Sequence, residues 1–266
     1  MRVTVITVSY NSELTIADTL LSVSGQVFQN YEHLIIDGKS KDRTIQVVNA
    51  HVHSNMVISS ESDCGIYNGM NKGLRRAKGE VMGFLNSDDY YSDPYVLEKV
   101  ASAFQDESVE ACFGDLVYVT PDKSRVARYW KSRPFIKGDF ANGWCPAHPT
   151  FFIRRSALER LGGFDESFKM AADVEFMMRY LERGGVKSVY IPYVLVRMRL
   201  GGASNQSWGN VWKQNLEVFA ALRKNKVPFS VVGFWVHKIL SRAQQYVTAR
   251  RFKADALQQQ TAQPPA

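Results

Sequence analysis

The sequence is poor in cysteine. Cys64, Cys112 and Cys145 are its three thiols, odd in number and widely spaced, and no C-x-x-C pair occurs. That argues against a disulfide framework and a zinc site, and it suits a reducing compartment. Long apolar runs are also missing. The best candidate, VPFSVVGFWVHKIL at 227–240, is interrupted by His237 and Lys238. It falls short of the about 20 residues that a membrane-spanning helix needs. The amino terminus, MRVTVITVSYN, lacks a signal-peptide cleavage pattern and reads as a first strand. No glycine-rich phosphate loop of the G-x-x-x-x-G-K-[ST] or G-x-G-x-x-G type follows it. A bound diphosphate would therefore be neutralised mainly by a metal ion, not by a nest of backbone amides. There is no internal repeat and no DNA- or RNA-binding motif.

Acidic residues vanish from 218 to 254, where Arg223, Lys224, Lys226, Lys238, Arg242, Arg250, Arg251 and Lys253 stand. These eight charges exceed the net +7 of the whole chain, so the rest is close to neutral. Any basic partner surface is thus C-terminal, and anionic lipid and nucleic acid are both candidate partners. Within 227–240, Phe229, Val232, Val236, Ile239 and, beyond it, Ala243 fall on one helical face. Flanked by basic residues, this reads as an interfacial helix on anionic lipid, or as a helix packed on the protein's own core.

With 266 residues, 45% apolar and 22% charged, the chain has the composition of an ordinary globular protein with a sizeable core. β-Branched runs at 3–9, 31–37, 56–61 and 80–86 alternate with helical patterns at about 12–26, 42–50 and 66–79, with Ser12 as a candidate cap for the first. That alternation predicts βαβ units and a parallel sheet with helices on both faces. Ligands bind such sheets at the carboxyl ends of the strands. The four strand ends carry Tyr10 and Asn11, Asp37, Asp63, and Asp88 with Asp89. Beyond Pro94 a helix is followed by strands at about 109–120 and 124–130 around a turn at Pro121–Asp122. A strand and short helix in 148–164 and a helix at 172–185 come next, then two strands, KSVYIP and YVLVRMRL. Residues from about 206 to 252 are mostly helical, and QQQTAQPPA is a polar, disordered tail.

Asp88 and Asp89 close an apolar strand side by side. Capping is the plain explanation, but Asp93 before Pro94 already meets the needs of the next helix. The alternative is a divalent cation held by carboxylate, with water and phosphate completing its shell. Asp173 stands at the start of a helix, where it would serve as a cap or as a general base. His148, in a proline-flanked loop, is either structural or near a substrate. Trp144 suits a sugar platform and core packing equally. GGASN at 201–205 reads as a loop that would cover the site.

The segments TVSYNSE, IIDGKSKDRT, SESDCGIYNGMNKGLRRAKGE, FLNSDD and GGFDESFKMAADVEFMMR, in this order, resemble family 2 glycosyltransferases. The likeness covers roughly residues 1–205 and is greatest for bacterial enzymes of exopolysaccharide and O-antigen assembly. It implies a GT-A fold, an α/β nucleotide-diphospho-sugar transferase with a mixed central sheet, over 1–205. A basic, partly amphipathic helical region (206–254) and a disordered tail (255–266) would follow. The resemblance implies inverting transfer of a single sugar from a nucleotide-sugar, best a UDP-sugar, to a hydroxyl of a glycan or lipid-linked acceptor. Thr7, Val8, Tyr10, Asn11, Asp37, Asp63, Asn71, Lys72, Asn86 and Ser87 would line the donor site. Asp88, with Asp89 beside it, would hold Mn²⁺ or Mg²⁺. Asp173 would be the base, with Trp144 and His148 on the acceptor side. The several spans and the Q-x-x-R-W motif of processive synthases are missing, which favours a single addition. The resemblance suits a cytoplasmic enzyme, peripheral on the inner face of the membrane through its C-terminal helix, with no nucleic acid partner.

Three positions depart from the family pattern. Asn86 replaces the first Asp of D-x-D, Gly38 replaces the second Asp of D-D-G-S, and Lys39 replaces a small residue. Two other readings remain at this point: a nucleotidyltransferase that makes sugar nucleotides, and a basic-tail nucleic-acid- or membrane-binding protein with a degenerate site. The first is disfavoured by SYNSE where a glycine-rich basic loop should stand.

Overall fold

The structure is a computed structural model that describes residues 1–201 and 208–245. Four strands, β1 (Val3–Ser9), β2 (Tyr31–Asp37), β3 (Met56–Ser60) and β4 (Val81–Phe84), are parallel and lie in the order β3-β2-β1-β4. Helices α1 (Ile16–Ser24), α2 (Thr44–Ala50) and α3 (Ile66–Arg76) make the crossovers. All seven residues of β1 and of β2 are buried, as expected of parallel strands covered on both faces. Alternate residues of β1 enter different cores. Val3 and Val5 pack with Val96, Leu97 and Val100 of α4 (Val96–Ala103). Ile6 and Val8 pack with Met70 and Leu74 of α3. This is the period-two division that strand geometry imposes.

After α4 the sheet becomes mixed, and its full order is β3-β2-β1-β4-β8-β6-β9-β5, with β7 paired to β6. Here β5 is Tyr90–Tyr91, β6 Ala111–Val119, β7 Val126–Trp130, β8 Phe152–Arg154 and β9 Ser188–Arg199. Strand β8 runs antiparallel beside β4. Gly83 permits that approach, because a Cβ there would lie 2.3 Å from the Phe152 ring. The hairpin β6–β7 is antiparallel as the sequence predicts. The two strands expected after 187 are instead one, β9, paired parallel to β6. Pro192 survives inside it because the pairing is irregular there: Phe113 faces Tyr190 and Asp115 faces Val194.

Helix α5 (Arg155–Leu161) precedes α6 (Ala172–Met178), which runs on into a π-turn at Arg179–Arg183. Helix α7 (Trp208–Lys224) and a further helix, α8 (231–245), close the described chain. Val218, Phe219, Ala221 and Leu222 of α7 and Phe234 of α8 join the cluster that holds Phe113, Phe176 and Tyr180. The C-terminal helices thus pack into the core on one face of the sheet. No helix among the described residues is long and apolar enough to cross a membrane. Most of the GGASN loop (202–205) and the tail from 246 onward lie outside the described residues.

Ser12 is not the cap of α1. The N-cap is Thr15 without a side-chain bond, and Ser12 Oγ lies 2.8 Å from Ser87 Oγ. Its position before the helix made it look like a cap, but the hydroxyl joins the loop after β1 to the loop after β4. Asp93 does take the N–H of Tyr95, at 2.8 Å, just before α4.

Candidate active site

Parallel register puts Ser9, Asp37 and Ser60 level at the ends of β1, β2 and β3. Asp37 is fully buried. Its carboxylate accepts from Ser9 Oγ (3.1 Å), Ser40 N (3.0 Å), Ser40 Oγ (2.5 Å) and Ser60 Oγ (2.6 Å). It locks three strand ends together instead of facing solvent. Tyr10 is 57% exposed beside it. Asn11, at φ +50°, binds the next loop through Ser40 Oγ (2.9 Å) and Lys41 N (2.9 Å). Asp63 Oδ1 accepts from Gly65 N at 3.0 Å. A Cβ on Gly38 would stand 2.7 Å from Asp63 Oδ2. The missing Asp at position 38 is therefore what lets Asp63 close in on the loop after β2.

Several of the residues expected at the donor have partners or packing within the chain. Thr7 is buried, with Oγ1 2.9 Å from His33 Nε2. Val8 belongs to the core. Asn71 ties α3 to the loop before α6, donating to Phe164 O (2.9 Å) and Glu166 Oε1 (2.7 Å) and accepting from Phe164 N (2.9 Å). Lys72 donates to Ser62 O at 2.6 Å. Tyr10, Asn11 and Asp63 are the members of that set with polar or aromatic groups toward the open strand ends.

At the end of β4 the acidic pair is split. Asp88 is half-buried, while Asp89 is fully buried. Burial, and secondarily the Asp88 charge, push the Asp89 carboxyl well up toward its protonated form; burial also raises Asp88. Asn86 Nδ2 donates weakly to Asp89 Oδ2 at 3.4 Å. Asn86 Oδ1 and Asp89 Oδ1 are buried without a hydrogen-bond partner. Arg199, at the end of β9, donates to Asp88 O at 2.7 Å and pairs with Asp18. No group of three or more His, Cys, Asp or Glu among the described residues could hold a metal ion. Two orphaned buried oxygens and a half-open carboxylate nevertheless fit a hard cation that takes its other oxygens from a ligand and water.

Asp173 lies in the first turn of α6 and makes no cap bond; the N-cap is Ala171. Glu217 of α7 instead holds the turn that leads into α6, accepting from Lys169 N (3.0 Å), Met170 N (2.8 Å) and Ala171 N (2.9 Å). Tyr67 of α3 donates its hydroxyl to Asp173 Oδ1 at 3.1 Å. Burial, followed by the Asp173 charge, drives the Tyr67 phenol far up, so it stays protonated as a donor. Glu175 points away into ion pairs with Arg179 (3.1 Å) and Lys224 (2.9 Å).

Asp173 lines a cavity of about 210 Å³ together with His148, Trp144 and Cys145. His148 is stacked on Phe84 (5.4 Å) and edge-on to Phe164 (5.6 Å). Its Nε2 is buried without a partner, and burial lowers its pKa, so the ring is neutral. The aromatic stack connects the end of β4 to the Asp173 cavity. Trp144 meets Phe113 edge-on at 6.2 Å and carries Arg133 over its face at 4.6 Å. Tyr67 and Arg199 were not foreseen. Tyr67 lies in the GIYNGMN segment, but its partner is 106 residues away.

The ends of four parallel strands thus form one open edge, and the aromatic stack joins it to a cavity lined by a single carboxylate among the described residues. The model of the glycosyl transferase family 2 matches residues 4–162. An uncharacterised glycosyltransferase of Mycobacterium tuberculosis is 31% identical over 181 residues, covering 66% of this chain and 68% of that protein. The PGL/p-HBAD biosynthesis glycosyltransferase of Mycobacterium bovis is 25% identical over 69% of this chain and 72% of its own length. The O-antigen biosynthesis protein RfbC of Myxococcus xanthus is 28% identical over 74% of this chain, but only 16% of its own length is covered. Among solved structures, S. aureus TarS 1–349 in complex with UDP-GlcNAc superposes with a TM-score of 0.65 at 20% identity, over 84% of this chain and 66% of that one. The mannosyltransferase PcManGT from Pyrobaculum calidifontis, with GDP-Man and Mn²⁺, gives 0.62 at 20%, over 100% and 76%. The structural likenesses establish the fold. The chain belongs to glycosyltransferase family 2 and is a glycosyltransferase. The nucleotidyltransferase reading is thereby set aside.

Proposed function

We propose that the chain is an inverting transferase that moves a single sugar from a UDP-sugar to a hydroxyl of a glycan or lipid-linked acceptor in cell-surface polysaccharide assembly. The observation that carries this reading is Asp173. It is held by the Tyr67 hydroxyl and lines the cavity. Asp173 takes the proton of the acceptor hydroxyl as that oxygen attacks the anomeric carbon, and the bond from that carbon to the nucleoside diphosphate breaks. Asp173 is the one carboxylate among the described residues lining the cavity. A retaining double displacement would need a second, nucleophilic carboxylate. General-base catalysis contributes about 10²–10⁴ in rate.

Tyr10, Asn11 and Asp63 form the nucleotide edge in this reading, and Asp88 with Asn86 and Ser87 faces the diphosphate. When bound, Mn²⁺ or Mg²⁺ at Asp88 supplies positive charge to the leaving diphosphate. His148 and Trp144 sit where an acceptor would enter. The complexes of similar folds with UDP-GlcNAc and with GDP-Man and Mn²⁺ support a nucleotide-sugar and a cation. The assembly role follows the printed names of the relatives. The C-terminal helices, on this reading, hold the enzyme to the inner membrane face.

The test is thermal-shift titration with UDP-, GDP- and dTDP-sugars in Mn²⁺, Mg²⁺ or EDTA, paired with turnover of Asp173→Asn. Stabilisation by UDP-sugars that EDTA abolishes, and a loss of at least about 10² in kcat with donor binding intact, are the expected results. Near-normal turnover by Asp173→Asn would remove it as the base.

A further inference from the structure

The cavity that holds Asp173 is also lined by Arg128 of β7 and by Lys238 and Arg242 of α8. None of the three is paired with a carboxylate among the described residues. Arg128 lies over the rings of Tyr118 (4.0 Å) and Trp130 (5.4 Å), with its Nε buried and without a hydrogen-bond partner. Lys238 is pinned by Asn215 Oδ1 at 2.5 Å and by the Phe234 ring at 5.1 Å. Asp173 is the single acid in the lining, and Tyr67 already holds it. Burial, with Arg242 adding to it, lowers Lys238 to about 8.

Three cations facing one small cavity repel each other and lose solvent, and ring contacts do not supply the missing negative charge. Their neighbours are largely apolar: Phe140, Met177, Val218 and Phe234. A ligand that brings negative charge relieves both costs. The nucleotide edge of Tyr10, Asn11, Asp63 and Asp88 does not line this cavity, so the donor's diphosphate is not the natural counter-charge. We propose that the acceptor carries an anionic group, a phosphate or carboxylate, bound by Arg128, Lys238 and Arg242 while Asp173 faces its hydroxyl. This rests on the reading of Asp173 as the base. The anion belongs either to a lipid carrier's phosphate or to an acidic sugar of the glycan.

The test titrates the full chain, saturated with UDP and Mn²⁺, with octyl phosphate, octyl glucuronide and uncharged octyl glucoside below their micelle concentrations. At least one anionic probe should bind about tenfold or more tighter than the glucoside, the scale of one charged hydrogen bond. A preference for octyl phosphate assigns the site to a lipid phosphate; a preference for the glucuronide assigns it to an acidic sugar. Lys238→Met and Arg128→Met should each abolish the preference, Lys238→Arg should restore it, and UDP affinity should be unchanged in all three. Equal binding of charged and uncharged probes, or octyl phosphate that binds the UDP-free chain but not the UDP-saturated one, overturns the proposal. Where UDP still binds, that failure belongs to this inference alone. Where UDP does not bind the wild type, the transferase reading falls and this inference with it.

Discussion

Lys39 sits at φ +62°, a left-handed conformation that disfavours side chains bearing a Cβ. It is exposed at the tip of the loop after β2, next to Gly38, whose missing Cβ admits Asp63. Lys39→Gly should raise stability by up to about 1 kcal/mol, or about 2–4 °C in Tm, read by thermal denaturation. A lower Tm would mean that the lysine side chain itself braces the loop. Tyr67→Phe is the complementary change. It removes the one hydroxyl on Asp173 and should lower kcat about tenfold with donor affinity unchanged, since a hydrogen bond to a charged group is worth about 1.5–3 kcal/mol. An unaltered kcat would show that Tyr67 does not position the base. Asp88 and Asp173 stand out in the sequence because their motifs are local. For Asp37, a string of letters does not reveal that Ser9, Ser40 and Ser60 use its oxygens. Arg128 and Arg199 gave no signal, and Lys238 only as one of a basic run, because each acquires its neighbours through packing between segments.

Elements show the same division. The four βα units were readable from period and punctuation, and their alignment of loops at one edge followed from parallel pairing. Strand β9 was not, because Pro192 looks like a break unless the irregular pairing with β6 is known. The parallel β6–β9 ladder joins residues 77 to 80 positions apart, a relation that local pattern does not encode. Helix α6 depends on a residue outside itself. Glu217 of α7 accepts three N–H groups at 169–171 and so fixes the turn that carries Asp173. Glu217→Ala should cost about 2 kcal/mol, a Tm loss of about 4–8 °C, and lower kcat more than it raises the donor KM. Calorimetry and steady-state kinetics on one preparation check both. A fall in Tm with kcat intact would show that the turn keeps its shape without Glu217.

At the scale of the whole molecule, α8 has two different sides. Phe234 is buried at 1% exposure and Lys238 lines the cavity, while Val232 (74%), Val236 (50%), Ile239 (63%) and Leu240 (63%) face outward. Of the face read from the sequence, Phe229 packs against Phe219 at 5.3 Å, and Val232, Val236 and Ile239 remain exposed. An outward apolar row on a segment with eight basic residues and no acid suits anionic lipid, through burial of side chains and attraction to headgroups. Truncation near residue 226 would test this poorly, because it also removes Phe234 from the core and Lys238 from the cavity. Substituting Val232, Val236 and Ile239 together by Gln leaves both in place. The wild type should sediment with vesicles containing anionic lipid, less so at high salt. The triple variant should partition at least about tenfold more weakly, each lost apolar side chain contributing up to about 1.5–3 kcal/mol when fully inserted. Its Tm and its UDP affinity should not change, since the three positions are exposed and distant in sequence from the nucleotide edge. Equal partitioning of variant and wild type, or equal binding to neutral vesicles, would exclude this face as the anchor. It would leave α8 with one role, closing the cavity that Asp173 and Lys238 line.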